Sequence, residues 1–493
     1  MTAPLLPLFV ALPLLVAGVL VGVRMPRPAR RTILLVVLVA DLVAAGALLA
    51  RTWSGAVLVE HVGGWDGGLA IPLVADAFSG LMLVTTVLLT VLTVAFARAT
   101  GTADEPFFAP LVLLVTAGVN GALLTADLFN LFVFIEIMLL PSYGLILLAH
   151  RGRGSRQQVT ASRIYVTVNL LTSTIFLVGV ALIYAGTGRV SLGDLHGAAH
   201  TSPTALLGTV ILLSALGIKA AVFPAHGWLG QTYPSMPPVV TALFSALHTK
   251  VAVYALFRVG AILFGETGPG PIALAVFTLS MIVGVLAAIG ENDSRSILSF
   301  HMVSQIGYVL LGLALFTPAG LSAGVFYLVH NILAKGALFL SVAAVEDRYG
   351  RSSLGTVTGL LRREPLTAAA FFGAAISLAG LPPFSGFVAK LAIITASFSA
   401  GQWLVGAAAL GVSLYTLMSM LKIWGGTFLG AANPEITEDD SHRIPFSFAA
   451  PALVLVVISL VLGVGGQLLL APATTAAQSL IDPTIYLQEV SGR

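Results

Sequence analysis

Cysteine is absent from this chain of 493 residues. Disulfides, thiol nucleophiles, iron–sulfur ligation and covalently attached c-type haem are excluded with it. Charge is scarce: Asp, Glu, Lys and Arg make up 9% of the residues, against about 25% in a soluble chain. The formal net charge of +3 gives nucleic-acid binding no electrostatic basis. No Gly-Lys dipeptide occurs, so there is no P-loop and no sign of nucleotide-driven transport. Lysine is the scarcest basic residue, with 5 copies against 19 of arginine.

What fills the chain is apolar. Hydrophobic residues make 57% of it, and the mean hydropathy is +1.00. A soluble domain needs a polar shell that this composition cannot supply. The fold class is therefore an all-α polytopic membrane protein. A membrane-spanning helix needs about 20 mostly apolar residues. Fourteen segments qualify, near 4–23, 32–50, 77–97, 109–126, 128–149, 163–186, 205–231, 236–263, 271–290, 296–316, 320–345, 366–399, 402–428 and 448–470. The Gly-rich, alternating stretch 53–75 reads as an extracytoplasmic hairpin.

Basic residues in short loops orient such a chain. Sixteen fall on one side: Arg24, Arg27, Arg30, Arg31, Arg98, Arg151, Arg153, Arg156, Arg163, Arg295, Arg348, Arg351, Arg362, Arg363, Lys422 and Arg443. The other side holds Arg51, Arg189, Arg258 and Arg493. Both termini are expected outside the cytoplasm, in a bacterial cell membrane, with the first segment an uncleaved span rather than a signal peptide.

One short pattern recurs. Pro224-Ala225-His226-Gly227-Trp228-Leu229-Gly230-Gln231 matches Pro383-Phe384-Ser385-Gly386-Phe387-Val388-Ala389-Lys390 at an offset of 159. It falls in the fourth helix of each of two five-helix blocks, 109–263 and 271–428. An odd number of helices inverts the second block, and inverted repeats with broken helices mark transporters. Residues 1–108 form three N-terminal spans with the hairpin, and 429–493 a C-terminal helix and tail. Proline removes a backbone donor and clashes four residues back. Spans 7 and 12 are thus discontinuous, Pro224 freeing the Ala220 carbonyl, and Pro382 and Pro383 those of Leu378 and Ala379.

A charge at the bilayer centre costs roughly 2.5–3.5 kcal/mol on insertion scales. The chain places Glu136, Lys219, Lys250, Lys335 and Lys390 there. Arginine stays protonated, whereas buried lysine loses its proton readily. Lysine in a chain that otherwise uses arginine points to charge that must be able to leave. One static Lys–Glu pair remains a plausible alternative; four lysines with one obvious glutamate are not all static pairs. Glu136, Lys219, Lys250 and Lys390 are the candidate proton-transfer residues. His301, Ser304, Gln305 and Tyr308 share a helix face, as do Tyr327, Asn331 and Lys335 with His330 alongside, and Thr241, Ser245 and His248. His248, His330, Lys335 and His301 are the candidate secondary relay; taken alone, each histidine is more often a packing group than a relay, and it is the lysines beside them that favour the relay. Asp41 is taken as structural, capped by a local partner.

No cofactor or metal site is expected. No span carries a histidine pair for haem. His196 and His200 lie in a polar loop and are more readily solvated than metal-bound. Gly265, Gly268 and Gly270 lie between spans, not at a strand-to-helix turn, so they make no dinucleotide site.

The segments LFNLFVFIEIMLLPSYGLI, ALGIKAAVFPAHGWLGQTYPSMPPVVTALFSALHTKVAVYALFR, RSILSFHMVSQIGYVLLGL and LAGLPPFSGFVAKLAIITASF resemble the antiporter-like subunits shared by respiratory complex I and the Mrp-type cation/proton antiporters. The likeness covers about 70–430 and is stronger to the Mrp branch. It implies fourteen helices with two inverted repeats, and a non-enzymatic subunit of a Na+/H+ antiporter. Glu136, Lys219, Lys250 and Lys390 match the family's glutamate and lysines of helices five, seven, eight and twelve, and His330 and Lys335 its polar eleventh-helix residues. The implied partners are the other Mrp subunits (A, B, C, E, F and G), protons, Na+ and the lipid bilayer. The alternative is a proton-pumping subunit of complex I or a membrane hydrogenase. The complex I subunit nearest in sequence has a glutamate where Lys390 stands, which argues against that subunit and not against the family.

Overall fold

The computed structural model describes residues 3–65, 70–148, 156–350, 353–431 and 443–492. Arg151, Arg153, Arg351 and Arg493, which entered the charge count, lie outside the described residues. Nineteen α-helices run through the described residues: α1 (Leu8–Gly22), α2 (Arg27–Thr52), α3 (Ala77–Ala99), α4 (Phe108–Leu124), α5 (Leu128–Leu148), α6 (Arg156–Thr187), α7 (Pro203–Lys219), α8 (Gly227–Thr232), α9 (Pro238–Phe264), α10 (Gly270–Gly290), α11 (Ser294–Leu315), α12 (Pro318–Tyr349), α13 (Leu360–Arg363), α14 (Pro365–Ala379), α15 (Ser385–Ser399), α16 (Trp403–Ile423), α17 (Phe446–Val464), α18 (Gln467–Ile481) and α19 (Thr484–Ser491). Among the described residues, eleven helices are long and apolar enough to cross a membrane, and four shorter ones are apolar. The protein is a multi-pass membrane protein. The expected hairpin is an antiparallel pair, β1 (Leu58–His61) and β2 (Pro72–Ala75), with Val59 opposite Val74.

Each of the fourteen expected segments overlaps a helix, and two of the matches are instructive. The segment 448–470 runs past the end of α17. The helix stops at Val464, where Gly465 and Gly466 follow, and α18 starts at Gln467. Apolar residues continue across this turn, so hydropathy alone does not see it. The C-terminal tail is likewise mostly helical, because α18 buries Leu469, Ala473, Ala476, Ala477 and Leu480.

The two breaks fall where proline chemistry puts them. α7 ends at Lys219 and α8 begins at Gly227; α14 ends at Ala379 and α15 begins at Ser385. Ala221 (φ 59°) and Gly380 (φ 89°) take left-handed backbone at the two exits, positions that the offset of 159 pairs. Each break also contains a cis peptide, Phe223-Pro224 and Pro382-Pro383. The left-handed region is costly for a residue with a Cβ, and glycine at 380 avoids that cost.

In α9 every residue from Val239 to Leu263 is buried, and in α12 every residue from Gly320 to Val345. Lipid is as apolar as leucine, so hydrophobicity does not draw a helix inward. Polar residues do, and these two helices carry His248, Lys250, His330, Asn331 and Lys335. Small residues let the backbones close up around them. A Cβ at Gly118 of α4 would stand 2.5 Å from the Met138 nitrogen of α5. One at Gly307 of α11 would stand 2.5 Å from the Met281 nitrogen of α10.

The buried Arg258 has a fixed partner. Its Nη2 meets Asp76 Oδ2 at 2.5 Å, both side chains nearly inaccessible. Asp76 also caps α3 through Ser79 in a capping box, and the guanidinium lies 4.6 Å from the Tyr486 ring of α19. This pair ties α3, α9 and the C-terminal helices together. Removing one partner of a buried pair leaves the other charge uncompensated, at about 3–5 kcal/mol. Arg258→Ala should therefore lower the thermal midpoint of the detergent-solubilised protein sharply. Arg258→Met with Asp76→Asn should recover much of the loss; equal melting of the single variant and the wild type would disprove the pairing's weight.

Candidate functional site

The first group of polar residues forms around α6. Tyr165, Asn169 and Ser173 follow each other at steps of four, which places them on one face of that helix. Each holds a different neighbour. Ser173 Oγ donates to Glu136 Oε1 of α5. Asn169 Oδ1 accepts from Lys219 Nζ of α7 at 3.4 Å. Tyr165 Oη meets His248 Nδ1 of α9 at 2.7 Å. The other ring nitrogen, His248 Nε2, lies 2.8 Å from Ser142 Oγ of α5. Ser142 gives its own proton to the Met138 carbonyl at 2.6 Å. Nε2 is therefore the donor to Ser142, and Nδ1 is left to accept from Tyr165. Lys219 is in Coulomb range of Glu136, yet its hydrogen bond goes to Asn169.

The second group surrounds the second break. Lys390 Nζ of α15 donates to the Ala379 carbonyl at 2.9 Å, one of the two that the prolines were expected to free. It also stands 5.2 Å from the centre of the Tyr308 ring, within the range of a cation–π contact. Tyr308 stacks on Tyr327 at 5.3 Å, and the Tyr327 ring meets His330 edge-on at 5.6 Å. Tyr327 Oη donates to Gln305 Oε1 at 2.6 Å. His330 Nδ1 lies 2.9 Å from Ser385 Oγ. Ser385 continues to Ser459 at 2.8 Å and Ser459 to Ser377 at 2.8 Å, three hydroxyls in a row from α15 to α17 to α14. A Cβ at Gly386 would overlap the Ser377 carbonyl oxygen, so glycine is what lets α15 come this close.

Between the groups stand the other two lysines. Lys335 Nζ of α12 donates to the Leu298 carbonyl of α11 at 3.0 Å. Lys250 Nζ of α9 reaches the hydroxyl of its own neighbour Thr249 at 3.3 Å. The two ammonium groups are in Coulomb range of each other. All four lysines are at most 4% exposed. Every one rests on a neutral oxygen, from Asn169, Thr249, Leu298 and Ala379 respectively, and among the described residues none forms an ion pair with a carboxylate. The buried Arg258, by contrast, sits on Asp76.

The helix stripes read from the sequence divide. In the α11 stripe, Gln305 and Tyr308 join the second group, but His301 Nε2 turns to Ser419 of α16 at 2.5 Å and Ser304 to the Met281 carbonyl of α10 at 2.8 Å. His330 and Lys335 on α12 also part, one to α15 and one to α11. Thr241 and Ser245 do not extend the His248 stripe. Thr241 bonds to the Tyr233 carbonyl at 3.1 Å and Ser245 to that of Ala242 at 2.8 Å, so both hydroxyls are spent locally. His200 holds the α9 exit, with Nε2 at 3.0 Å from Thr267 Oγ1 and 3.2 Å from the Phe264 carbonyl. Among the described residues no cluster of His, Cys, Asp or Glu could hold a metal ion.

The α6 stripe, which connects more of the site than any single charged residue, does not stand out in the sequence. The signal was present as polar residues at i, i+4 and i+8 in IYVTVNLLTSTIF, but uncharged residues in an apolar run attract little notice. Asp76 was missed because it lies at the edge of an apolar run.

Residues 125–416, which hold all of these groups but Asp76, Ser459 and Ser419, match the family model described as NADH:quinone oxidoreductase/Mrp antiporter, transmembrane. The chain is 36% identical over 451 residues to the D-type subunit of the Na+/H+ antiporter of Alkalihalophilus pseudofirmus, covering 90% of each. It is 34% identical over 456 residues to the corresponding Na+/H+ antiporter chain of Bacillus subtilis, covering 91% of each. A chain in the solved structure of the Mrp complex from Dietzia sp. DQ12-45-1b superposes with a TM-score of 0.96 over 100% of both chains, at 51% identity. The chain thus belongs to the transmembrane family shared by NADH:quinone oxidoreductase and the Mrp antiporters.

Proposed function

We propose that this chain is the proton-translocating subunit of a multi-subunit Na+/H+ antiporter of the Mrp type. It is a secondary transporter subunit, working in the cell membrane with the A, B, C, E, F and G subunits, both termini outside and blocks 109–263 and 271–428 as inverted repeats. The names and coverage of its relatives support the assignment to this assembly. The lysines support the chemistry. An ammonium on a neutral oxygen can give up its proton without stranding a carboxylate; one in a salt bridge cannot do so without leaving an uncompensated charge.

In this reading Glu136 and Lys219 form the entry pair, coupled through Ser173 and Asn169 on α6. His248 exchanges protons with Tyr165 and Ser142 beside them. Lys250 and Lys335 carry the charge across the centre. His330 and Lys390 finish the path, with Ser385, Ser459 and Ser377 leading off from the second break. Each group is a donor or acceptor that rotates, so a proton can move by short exchanges. The buried oxygens fix where each group waits, and the carbonyls freed at the two breaks belong to the buried residues Ala220, Leu378 and Ala379.

Glu136→Ala and Lys219→Ala should each abolish ΔpH-driven Na+/H+ exchange in membrane vesicles while the complex still co-purifies with its partners. Normal exchange in either variant would sink the proposal. Asn169→Leu removes the bridge without removing a charge. The net worth of one hydrogen bond, up to about 1.5 kcal/mol, corresponds to a slowing of roughly tenfold. Asn169→Asp, by fixing Lys219 in an ion pair, should slow exchange at least as much even though the hydrogen bond is kept. An Asn169→Asp complex as fast as the wild type would show that neutral seating of the lysine is irrelevant.

A further inference from the structure

Charges away from the proton path differ in how they are held. Asp41, midway along α2, has a protein partner. The sequence suggested a local one; the actual one is Asn120 of α4, whose Nδ2 donates to Asp41 Oδ2 at 2.8 Å. The reason is geometric, since a side chain on the buried face of a helix meets the neighbouring helix and not its own. Arg163 of α6 has no such partner. Among the described residues its guanidinium makes no hydrogen bond and no ion pair, and the residue is exposed. Arg156, also exposed, precedes it by two turns on the same face of α6.

Arg163 borders a groove. The end of α5 and the start of α6 leave between them a space of about 490 Å3, walled by Ile146 and Leu147 of α5 and by Val159 and Val166 of α6. It opens outward, since Leu147 is 70% and Val159 54% exposed. Its surface is mostly apolar, and no carboxylate lines it. Thr167, four residues after Arg163 and so on the same face, lines it as well. A helix turn rises about 5.4 Å, which sets a cation and a hydroxyl one turn apart along one wall. Side chains lean toward the N-terminus of their helix. That lean carries the Arg163 guanidinium toward the Arg156 end of α6 and the bilayer surface. Tyr143 of α5 also lines the groove. Its ring meets Tyr165 edge-on at 5.9 Å, and it is in Coulomb range of Glu136. The groove therefore lies against the outside of the first polar group.

We propose that this groove binds one anionic phospholipid, its phosphate on the Arg163 guanidinium and one acyl chain along the apolar walls. The groove matches such a lipid in order of depth. A guanidinium holds phosphate through paired N–H donors. Thr167, one turn deeper, offers its hydroxyl to an ester carbonyl, and the apolar walls take the hydrocarbon. A methylene is close to a water molecule in size, and water occupies about 30 Å3, so the groove has room for roughly sixteen chain carbons. Basic pockets between spans bind anionic headgroups. A zwitterionic lipid brings an ammonium that meets no carboxylate here, so the groove selects against it. The bound chain covers Tyr143 and closes the first polar group from the outside. The site is built by α5 and α6 alone, and its occupancy does not depend on proton transfer.

The test is the phospholipid retained by the purified intact complex, counted by native mass spectrometry after loading with dioleoyl-phosphatidylglycerol or dioleoyl-phosphatidylethanolamine. Arg163→Gln should lose one phosphatidylglycerol per copy of this chain, or bind it roughly tenfold more weakly, the worth of a charge-assisted pair. Arg163→Lys, which keeps the charge and loses the paired donors, should fall between. Val166→Trp fills the groove with Arg163 in place, and should lose the same lipid. Retention of phosphatidylethanolamine should be the same in the wild type and all three variants. Lys219→Ala, which breaks the proton path, should keep the lipid, so that loss of exchange and loss of lipid are read separately. Equal retention of phosphatidylglycerol by the wild type and Arg163→Gln would overturn the site. So would loss of a partner subunit instead of lipid from Val166→Trp, since that subunit and not a lipid would then cover the groove.

Discussion

Inside hydrocarbon a polar group has no solvent to turn to, and its partner must come from the protein. The architecture around the two helix breaks answers that demand. The break after Ala379 releases a carbonyl, and Lys390 occupies it at 2.9 Å. At the first break the Trp228 indole donates to the Ile218 carbonyl at 2.9 Å. A broken helix thus creates acceptors at membrane depth, and acceptors are what an ammonium needs. The burial of α9 and α12 follows from the same demand: each carries a histidine and a lysine of the site, and each is surrounded on all sides.

The kind of partner separates the buried arginine from the buried lysines. Arg258 is locked to Asp76, in a pair that also caps α3 and supports the C-terminal helices. The four buried lysines rest on an amide, a hydroxyl and two carbonyls. Deprotonating any of them leaves behind only an oxygen that has lost a donor, which is far less costly than an unpaired buried charge. The neutral groups between them, Ser173, Asn169 and Tyr165 on one side and Ser385, Ser459 and Ser377 on the other, give the two halves a similar chemistry built from different helices.

The positions of the apolar segments, the two breaks and the identities of the buried lysines and histidines were all legible in the sequence. So was the carbonyl that Lys390 would use, because proline acts on the residue four places before it. The α17 boundary was not, since Gly465 and Gly466 interrupt the helix without interrupting hydrophobicity. The α6 stripe escaped because serine, asparagine and tyrosine do not stand out against an apolar run as lysine does. The stripes on α11 and α12 were drawn correctly as shared faces, but a helix buried on every side touches several neighbours, and residues of one stripe were divided among them.

The sequence alone determined which residues are charged within the membrane and where the helices break, because both depend on residue type and on covalent geometry over a few positions. Only the tertiary structure decided the partners. Lys219 meets a residue 50 positions away, His330 one 55 away, Asp41 one 79 away and His248 one 106 away. Those meetings depend on the rotation and approach of packed helices, set by glycines such as Gly118, Gly307 and Gly386 at the contacts. Apolar surface in lipid carries no preference for one neighbour over another, so no local pattern encodes the pairing.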